Sequence, residues 1–244
     1  MIYKEIKPHP ALADYIDAYW ISEGVEKQCI KDIILPDNCV DLIFNSGEKY
    51  ETYNGALTMY PEKTYLVGTM TTFKESIVYP SNKLIGVRFK PSAFSSFYSF
   101  APLNEIKDKT IEFEQSLSPD FHKIEQHSFS YLDEFFLKGL TKEKHNLFKV
   151  VRDIEITNGL ISMDILANQN NTTTRQLERN FKKYIGISPK EFANIVRFKA
   201  TLSKIKHNRN QQTLLDIAYE CGYYDHAHLS NEIKRYTGVS PSQF

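Results

Sequence analysis

Two stretches decide the fold: Ile161–Phe181, ISMDILANQNNTTTRQLERNF, and Leu214–Ile233, LLDIAYECGYYDHAHLSNEI. Each runs apolar residues at helical spacing into a turn residue that tolerates positive φ. A polar residue able to cap follows, and then a second helical pattern. In the second stretch Ile217 and Ala218 form the first ridge, Gly222 ends the helix and Tyr223 fits under the turn. Asp225 caps the next helix, on which Leu229 and Ile233 recur at i, i+4. The first stretch takes the same order with Leu166-Ala167, Asn171, Thr173 and Leu177/Phe181. Leu177 and Leu229 stand 52 residues apart, so the pattern reads as an internal duplication of a helix-turn-helix unit.

Working outward, Leu147, Val150, Val151 and Ile154 predict a helix over Asn146–Asn158. Ser162 is placed to cap Met163–Asn168. Ser188-Pro189 opens a long helix over Lys190–Lys206, with Pro near the first helical position and Phe192, Ile195, Val196, Leu202 and Ile205 as its apolar stripe. Asn208-Arg209-Asn210 leaves that helix toward the second unit.

This order of residues resembles the DNA-binding domain of the AraC/XylS family of bacterial transcription regulators. The likeness is carried by Leu166-Ala167, Arg175-Gln176-Leu177-Glu178-Arg179, Phe181 and Tyr184-Ile185-Gly186-Ile187-Ser188-Pro189. It continues through Asp216-Ile217-Ala218, Cys221-Gly222-Tyr223, His228-Leu229 and Lys234 to Phe244. The resemblance implies a sequence-specific regulator whose two recognition helices enter neighbouring major-groove segments. It also implies RNA polymerase as a partner, and a long helix whose rigidity sets the groove-to-groove spacing. One departure stands out: Asn170 and Thr172 occupy turn positions where the family usually has apolar residues. That predicts a first unit that packs less firmly or presents its helix differently.

With Leu177 and Phe181 turned inward, Thr174, Arg175, Glu178 and Arg179 lie on the outer face of the first recognition helix. Arginine fits guanine O6 and N7 bidentately, and Glu accepts from cytosine N4. The alternative for Arg175 and Glu178 is a surface pair worth a few tenths of a kcal/mol. Leu229 and Ile233 turn His226, Ala227, Ser230 and Asn231 outward on the second helix, with His228 at the margin. Asn reads adenine bidentately. Thr173, Lys182, Lys183, Asp225, Lys234 and Arg235 are the phosphate candidates, because helix N-termini and flanking lysines favour anions.

The front half reads differently. A short helical pattern over Ala11–Ile16 precedes an extended segment, Ala18–Ile21. Strands are then predicted at Ile30–Leu35, Val40–Phe44, Thr64–Thr69, Phe73–Tyr79 and Leu84–Phe89. Turns are marked by Pro36-Asp37-Asn38, Ser46-Gly47, Asn54-Gly55 and Ser81-Asn82. Phe94 to Leu103, with Phe97, Tyr98 and Phe100, looks helical, and Asp120–Leu140 is a strong amphipathic helix. Leu35-Pro36-Asp37, Leu66-Val67-Gly68 and Gly86–Pro91 resemble a degenerate version of the cupin-like sensor or dimerisation domains that precede AraC-type modules. The expected class is α+β and multi-domain: a small β-barrel or cupin-like domain with flanking helices over 1–142, then an all-α double helix-turn-helix domain over 146–244.

Composition sets bounds on chemistry. The 244 residues carry no net charge, but 14 Lys and Arg stand against 9 Asp and Glu from Asn146 onward. A basic module behind an acidic one suits double-stranded DNA as a partner. The three cysteines, Cys29, Cys39 and Cys221, are scattered and odd in number. They favour reduced thiols in the cytoplasm, with Cys29 and Cys39 as buried small hydrophobes. No apolar run reaches a membrane-spanning length, and Met1-Ile2-Tyr3-Lys4-Glu5 does not read as the start of a signal-peptide h-region. A metal cupin needs clustered histidines, yet His9 is the only one before His122. His122, His127 and His145 read as exposed helix residues. No catalytic residue, metal site or cofactor is expected. Trp20, Tyr79 and Arg88 are candidates for an effector pocket, with Arg88 clamping an anion. The front domain is expected to bind a small-molecule effector, or to pair two copies into a homodimer without one. The rival reading, a DNA-repair enzyme on the same module, would need a zinc cysteine cluster or a Pro-Cys-His nucleophile that is absent from the sequence.

Overall fold

The computed structural model describes residues 1–25, 29–51, 57–99, 102–141, 147–208 and 212–244. Among the described residues ten strands come first: β1 Ile2–Ile6, β2 Ile16–Glu23, β3 Ile30–Ile34, β4 Val40–Asn45, β5 Tyr50–Glu51, β6 Thr58–Met59, β7 Thr64–Val67, β8 Lys74–Val78, β9 Lys83–Phe89 and β10 Thr110–Glu112. Helices follow: α1 Phe121–Gly139, α2 Leu147–Ile156, α3 Met163–Gln169, α4 Thr174–Tyr184, α5 Pro189–Lys206, α6 Leu214–Glu220 and α7 His226–Thr237. The junction expected at 142–146, with His145, lies outside the described residues, as do Asn54-Gly55, Phe100 and Arg209-Asn210.

Six strands form one open antiparallel sheet in the order β1-β2-β9-β4-β7-β10, flanked by the ribbons β3-β8 and β5-β6. The two-residue period of a strand sorts its faces. Val40, Leu42 and Phe44 of β4 and Ile85, Val87 and Phe89 of β9 turn to one side. There Ile124, Leu132 and Phe136 of α1 cover them, as the amphipathic pattern predicts. Asp120 caps α1 by accepting from the Lys123 amide at 3.1 Å. Asp133 of α1 ties the helix to the sheet, accepting from Tyr19 Oη at 2.9 Å and the His9 amide at 2.8 Å. No helix among the described residues is long and apolar enough to cross a membrane.

Some local expectations change. The helical pattern at Ala11–Ile16 is only a 3-10 turn, Pro10–Leu12, because Ile16 already pairs with Phe89 in the sheet. Where Phe94 to Leu103 reads as helical, the described residues form 3-10 turns at Ala93–Ser96 and Leu103–Ile106. β1 left no alternating signal because Ile2, Tyr3, Lys4 and Glu5 are all exposed at the sheet edge. Cys29 is exposed, against the expectation of a buried thiol, whereas Cys39 is half-buried and burial pushes its thiol pKa well up.

The opposite face of the sheet carries the proposed pocket residues, and its register explains their company. Trp20 pairs with Gly86 and with Glu5, and Asp41 pairs with Arg88. A Cβ on Gly86 would run into the Trp20 indole, so only glycine admits the ring. Trp20 Nε1 donates to Asp41 Oδ1 at 2.7 Å. Arg88 reaches Glu5 at 2.9 Å, Asp37 at 3.3 Å and Asp41 at 3.7 Å, and donates to Tyr3 Oη at 3.1 Å. Burial first, then the Asp37 carboxylate, push Asp41 well above the usual carboxylate range, against the pull of Arg88. The anion clamp expected of Arg88 is therefore corrected: its guanidinium is ringed by carboxylates, which repel an anion. Tyr79 does not join Trp20 and Arg88; it is 44% exposed at the turn between β8 and β9.

The two halves meet through specific contacts. The Asp37-Asn38 turn carries Asn38 at φ 69, and its side-chain Nδ2 donates to the Phe192 carbonyl of α5 at 3.2 Å. Lys107 Nζ meets Glu191 Oε1 at 2.6 Å. Glu191 Oε2 accepts from the Ser188 amide and hydroxyl, completing the capping box of α5. Burial alone would raise the Glu191 pKa, but the bonds from Lys107 and Ser188 outweigh it and hold it at about 2.

Two outcomes follow. Gly86→Ala forces the Trp20 ring to move and lowers stability by about 1–3 kcal/mol, measured by urea denaturation. Glu191 has a folded pKa below its unfolded value, so its contribution is complete above the unfolded value near 4.5 and is lost as pH falls toward about 2. Glu191→Gln therefore flattens the acid limb of the stability profile in that window and leaves its shape above it unchanged.

Candidate nucleic-acid interface

The C-terminal helices share one core. Leu166, Leu177, Phe181, Phe192, Ile195, Phe198, Ile217, Ala218, Leu229 and Ile233 are all buried in a single cluster. Each helix-turn-helix has its turn and caps where the residues place them. Ser162 accepts from the Ile165 amide at 3.3 Å and Thr173 from the Gln176 amide at 3.1 Å. Asp225 accepts from the His228 amide at 2.7 Å. Asn171 and Gly222 hold φ of 49° and 73°, the left-handed conformation that these two residue types adopt most readily.

The polar first turn does not loosen the first unit. Asn170 is buried, and its Nδ2 donates to the Leu166 carbonyl at 2.9 Å and to Asp153 Oδ2 at 3.3 Å. An apolar side chain is replaced there by an amide that satisfies a helix-end carbonyl. Leu166, Leu177 and Phe181 beneath it remain buried. The expectation of looser packing is corrected accordingly.

The outward faces are as the helical period demands. Thr173, Thr174, Arg175, Glu178, Arg179, Lys182 and Lys183 are all exposed on or beside α4. Arg175 and Glu178 form no ion pair with each other among the described residues. Arg179 Nη2 donates to Gln176 Oε1 at 2.8 Å, and Gln176 Nε2 donates to Asn180 Oδ1 at 2.8 Å. Gln176 thus aims the arginine, a role readable from its i, i+3 and i, i+4 spacing. On α7, His226, Ala227, His228, Asn231, Lys234 and Arg235 are exposed, and Ser230 is half-buried. The His228 ring stands edge-on to Tyr223 at 5.3 Å. The Asp225 carboxylate is occupied by the cap and, as an acceptor only, offers a phosphate no donor.

Three further features were not drawn from the sequence. Thr213 caps α6 in a capping box with Asp216, a T-x-x-D pattern visible in the residues. Tyr224 is 84% exposed just before α7, whereas its neighbour Tyr223 is buried. Arg197 of α5 meets Glu232 of α7 at 3.0 and 3.2 Å and lies 4.6 Å over the Tyr223 ring. Tyr223 Oη also donates to Glu232 at 2.8 Å. With side-chain exposures of 17% and 10%, this ion pair is shielded from solvent. It braces the second unit against the long helix. Removing one partner strands a buried charge, so Glu232→Ala costs about 3–5 kcal/mol. Denaturant unfolding measures it, and a loss below about 1 kcal/mol would show the pair to be dispensable.

A comparison with protein families agrees with this geometry. Residues 166–244 match a family described as a helix-turn-helix domain. Residues 4–112 match a family described as a domain of unknown function (DUF6597). The HTH-type transcriptional activator RhaS of Escherichia coli strain K12 / DH10B is 30% identical over 81 residues, as is RhaS of strain HS. Those 81 residues span 33% of this chain and 28% of the length of these relatives. Among solved structures, ToxT from Vibrio cholerae aligns with a TM-score of 0.49 at 12% identity, covering 100% of this chain and 97% of that one. The AraC-like transcriptional activator CuxR aligns with a TM-score of 0.25 at 7% identity, covering 82% of this chain and 85% of that one. With two capped and turned units joined by α5, residues 166–244 are a helix-turn-helix domain of the AraC type.

Proposed function

We propose that this protein is a sequence-specific transcription regulator. On this reading residues 146–244 bind two adjacent major-groove segments of double-stranded DNA, and residues 1–142 form a sensor or dimerisation domain. The observation that carries it is the presentation of the two recognition helices. The polar residues of α4 and α7 named above face solvent, while both helices bury their apolar stripe. In a helix-turn-helix it is the N-terminal part of the recognition helix that meets base edges.

Arg175, Arg179 and Asn231 are the base readers in this proposal, with Thr174, Glu178, His226, Ala227 and Ser230 beside them. His228 and Tyr224 flank the second helix near the backbone. Lys182, Lys183, Lys234 and Arg235 hold phosphates, and Thr173 and Asp225 contribute through helix N-termini rather than side-chain charge. The activity is binding, not catalysis, and its setting is the cytoplasm. A small-molecule effector, a second copy of the chain and RNA polymerase are the further partners. An effector acts only by binding two states of the front domain unequally.

Selection from a randomised duplex library tests this. The protein recovers one split motif with two blocks about a helical turn apart. Arg179→Ala and Asn231→Ala each relax a different block, by about 1–3 kcal/mol of discrimination. Lys182→Ala weakens all sequences alike and lowers the salt slope by about 0.9. Enrichment of no sequence at any salt concentration overturns the proposal.

A further inference from the structure

The connection between β7 and β8 touches the far end of both recognition helices. The Thr69 hydroxyl donates to the carbonyl of Ile185, the residue that caps α4. Four residues on, the Phe73 ring covers Gly238, the left-handed glycine that caps α7 at φ 79. A Cβ on Gly238 would stand 2.8 Å from the tip of that ring, a separation real Cβ atoms do not show, so the ring fills the space a side chain would need. Four residues of chain span at most about 14 Å. One short segment therefore bridges the C-terminal ends of two helices that lie 52 residues apart in sequence.

The segment is itself held firmly. Asp108 accepts from the Thr71 amide at 2.6 Å and from the Thr71 hydroxyl at 2.7 Å. The Asp108 amide donates to the Thr69 carbonyl at 3.1 Å, and Lys74 Nζ donates to the Asp108 carbonyl at 2.9 Å. Thr69, Met70 and Thr71 are all buried. Close beside it, Leu103 lies against Gly186, and Lys107 bonds Glu191 at the start of α5. The contacts lie behind the recognition helices, so they leave the exposed polar faces of α4 and α7 open.

We propose that Thr69 and Phe73 of the front domain are positioning residues for DNA reading: together they gauge the separation of the two recognition helices and so select the spacing between the two blocks of a binding site. This rests on the regulator reading above and adds to it a spacing specificity that lies outside the DNA-binding module. The physical basis is that a packed contact at both helix ends admits few arrangements. A site of the wrong spacing then demands a separation that the brace resists. When the brace is lost, the competent arrangement becomes one of several, and affinity falls by its reduced population.

The test uses the full chain and duplexes built on the selected motif, with the gap between blocks kept, lengthened or shortened by one base pair. The parent prefers one gap. Phe73→Ala loses roughly tenfold at that gap and discriminates less against the other two. Thr69→Val, which removes the hydroxyl donor with little change of shape, moves the same way. Phe73→Leu, which keeps an apolar cover on Gly238, restores the parental preference. An unchanged gap profile in both Phe73→Ala and Thr69→Val overturns the proposal, and so does a loss that is equal at all three gaps, since that is the mark of general destabilisation. Hydrogen exchange separates this from failure of the regulator reading. Even where no duplex is selected, Phe73→Ala speeds exchange at the Gly238 and Val239 amides and leaves α2 protected. No local change there overturns the brace itself.

Discussion

The Glu191 carboxylate is the point on which the arrangement depends. One of its oxygens closes the capping box of α5 through Ser188, and the other holds Lys107 of the front domain at 2.6 Å. α5 is the helix that both helix-turn-helix units pack against. Fixing its first turn therefore fixes the start of the long axis on which α4 and α7 are mounted. The adjacent Phe192 carbonyl receives Asn38 from another turn of the front domain. The first N–H groups of a helix lack intrahelical partners; Ser188 and Glu191 bond two amides there, and Lys107 and Asn38 of the front domain join the same turn.

The two units reach the same shape by different chemistry. The second has Gly222 in its turn, and Leu160 sits where a Cβ on that glycine would project. The first has Asn171 in the left-handed position and puts the buried Asn170 beneath it, bonded to Leu166 and Asp153. The second unit is tied to α5 by Arg197, Glu232 and Tyr223. An ion pair shielded to this degree holds geometry more than it adds net stability, because desolvation offsets much of the attraction. Its use here is to hold α7 in a fixed relation to α5.

The front domain divides its sheet into two unlike faces. One is the apolar core under α1. The other carries Trp20 over Gly86 and a guanidinium among three carboxylates. The Leu35-Pro36-Asp37 and Gly86–Pro91 motifs meet on this second face: Arg88 holds Asp37, and the next residue, Asn38, docks on α5. These motif residues thus serve the joint between the domains. Loop 69–73, which leaves β7 beside the start of β4, carries the other part of that joint.

Local chemistry alone determined much of this protein. Helical spacing, N-caps and left-handed turn residues located α3, α4, α6 and α7, because each signal is written within four residues of where it acts. The same period told which residues of α4 and α7 face outward. Strands β2, β3, β4, β7, β8 and β9 were legible from β-branched and aromatic runs. β1 and β10 were not, since one is exposed and the other is three residues long. Tertiary structure alone decided what meets across the chain. Arg88 resembles an anion clamp until strand register surrounds it with Glu5, Asp37 and Asp41. Tyr223 and Tyr224 are identical side chains until the turn buries one of them. Arg197 finds Glu232 35 residues away, and Thr69 finds Ile185 at a distance of 116. A side chain's partner over such separations depends on register, turn geometry and packing together, and no local pattern carries that information.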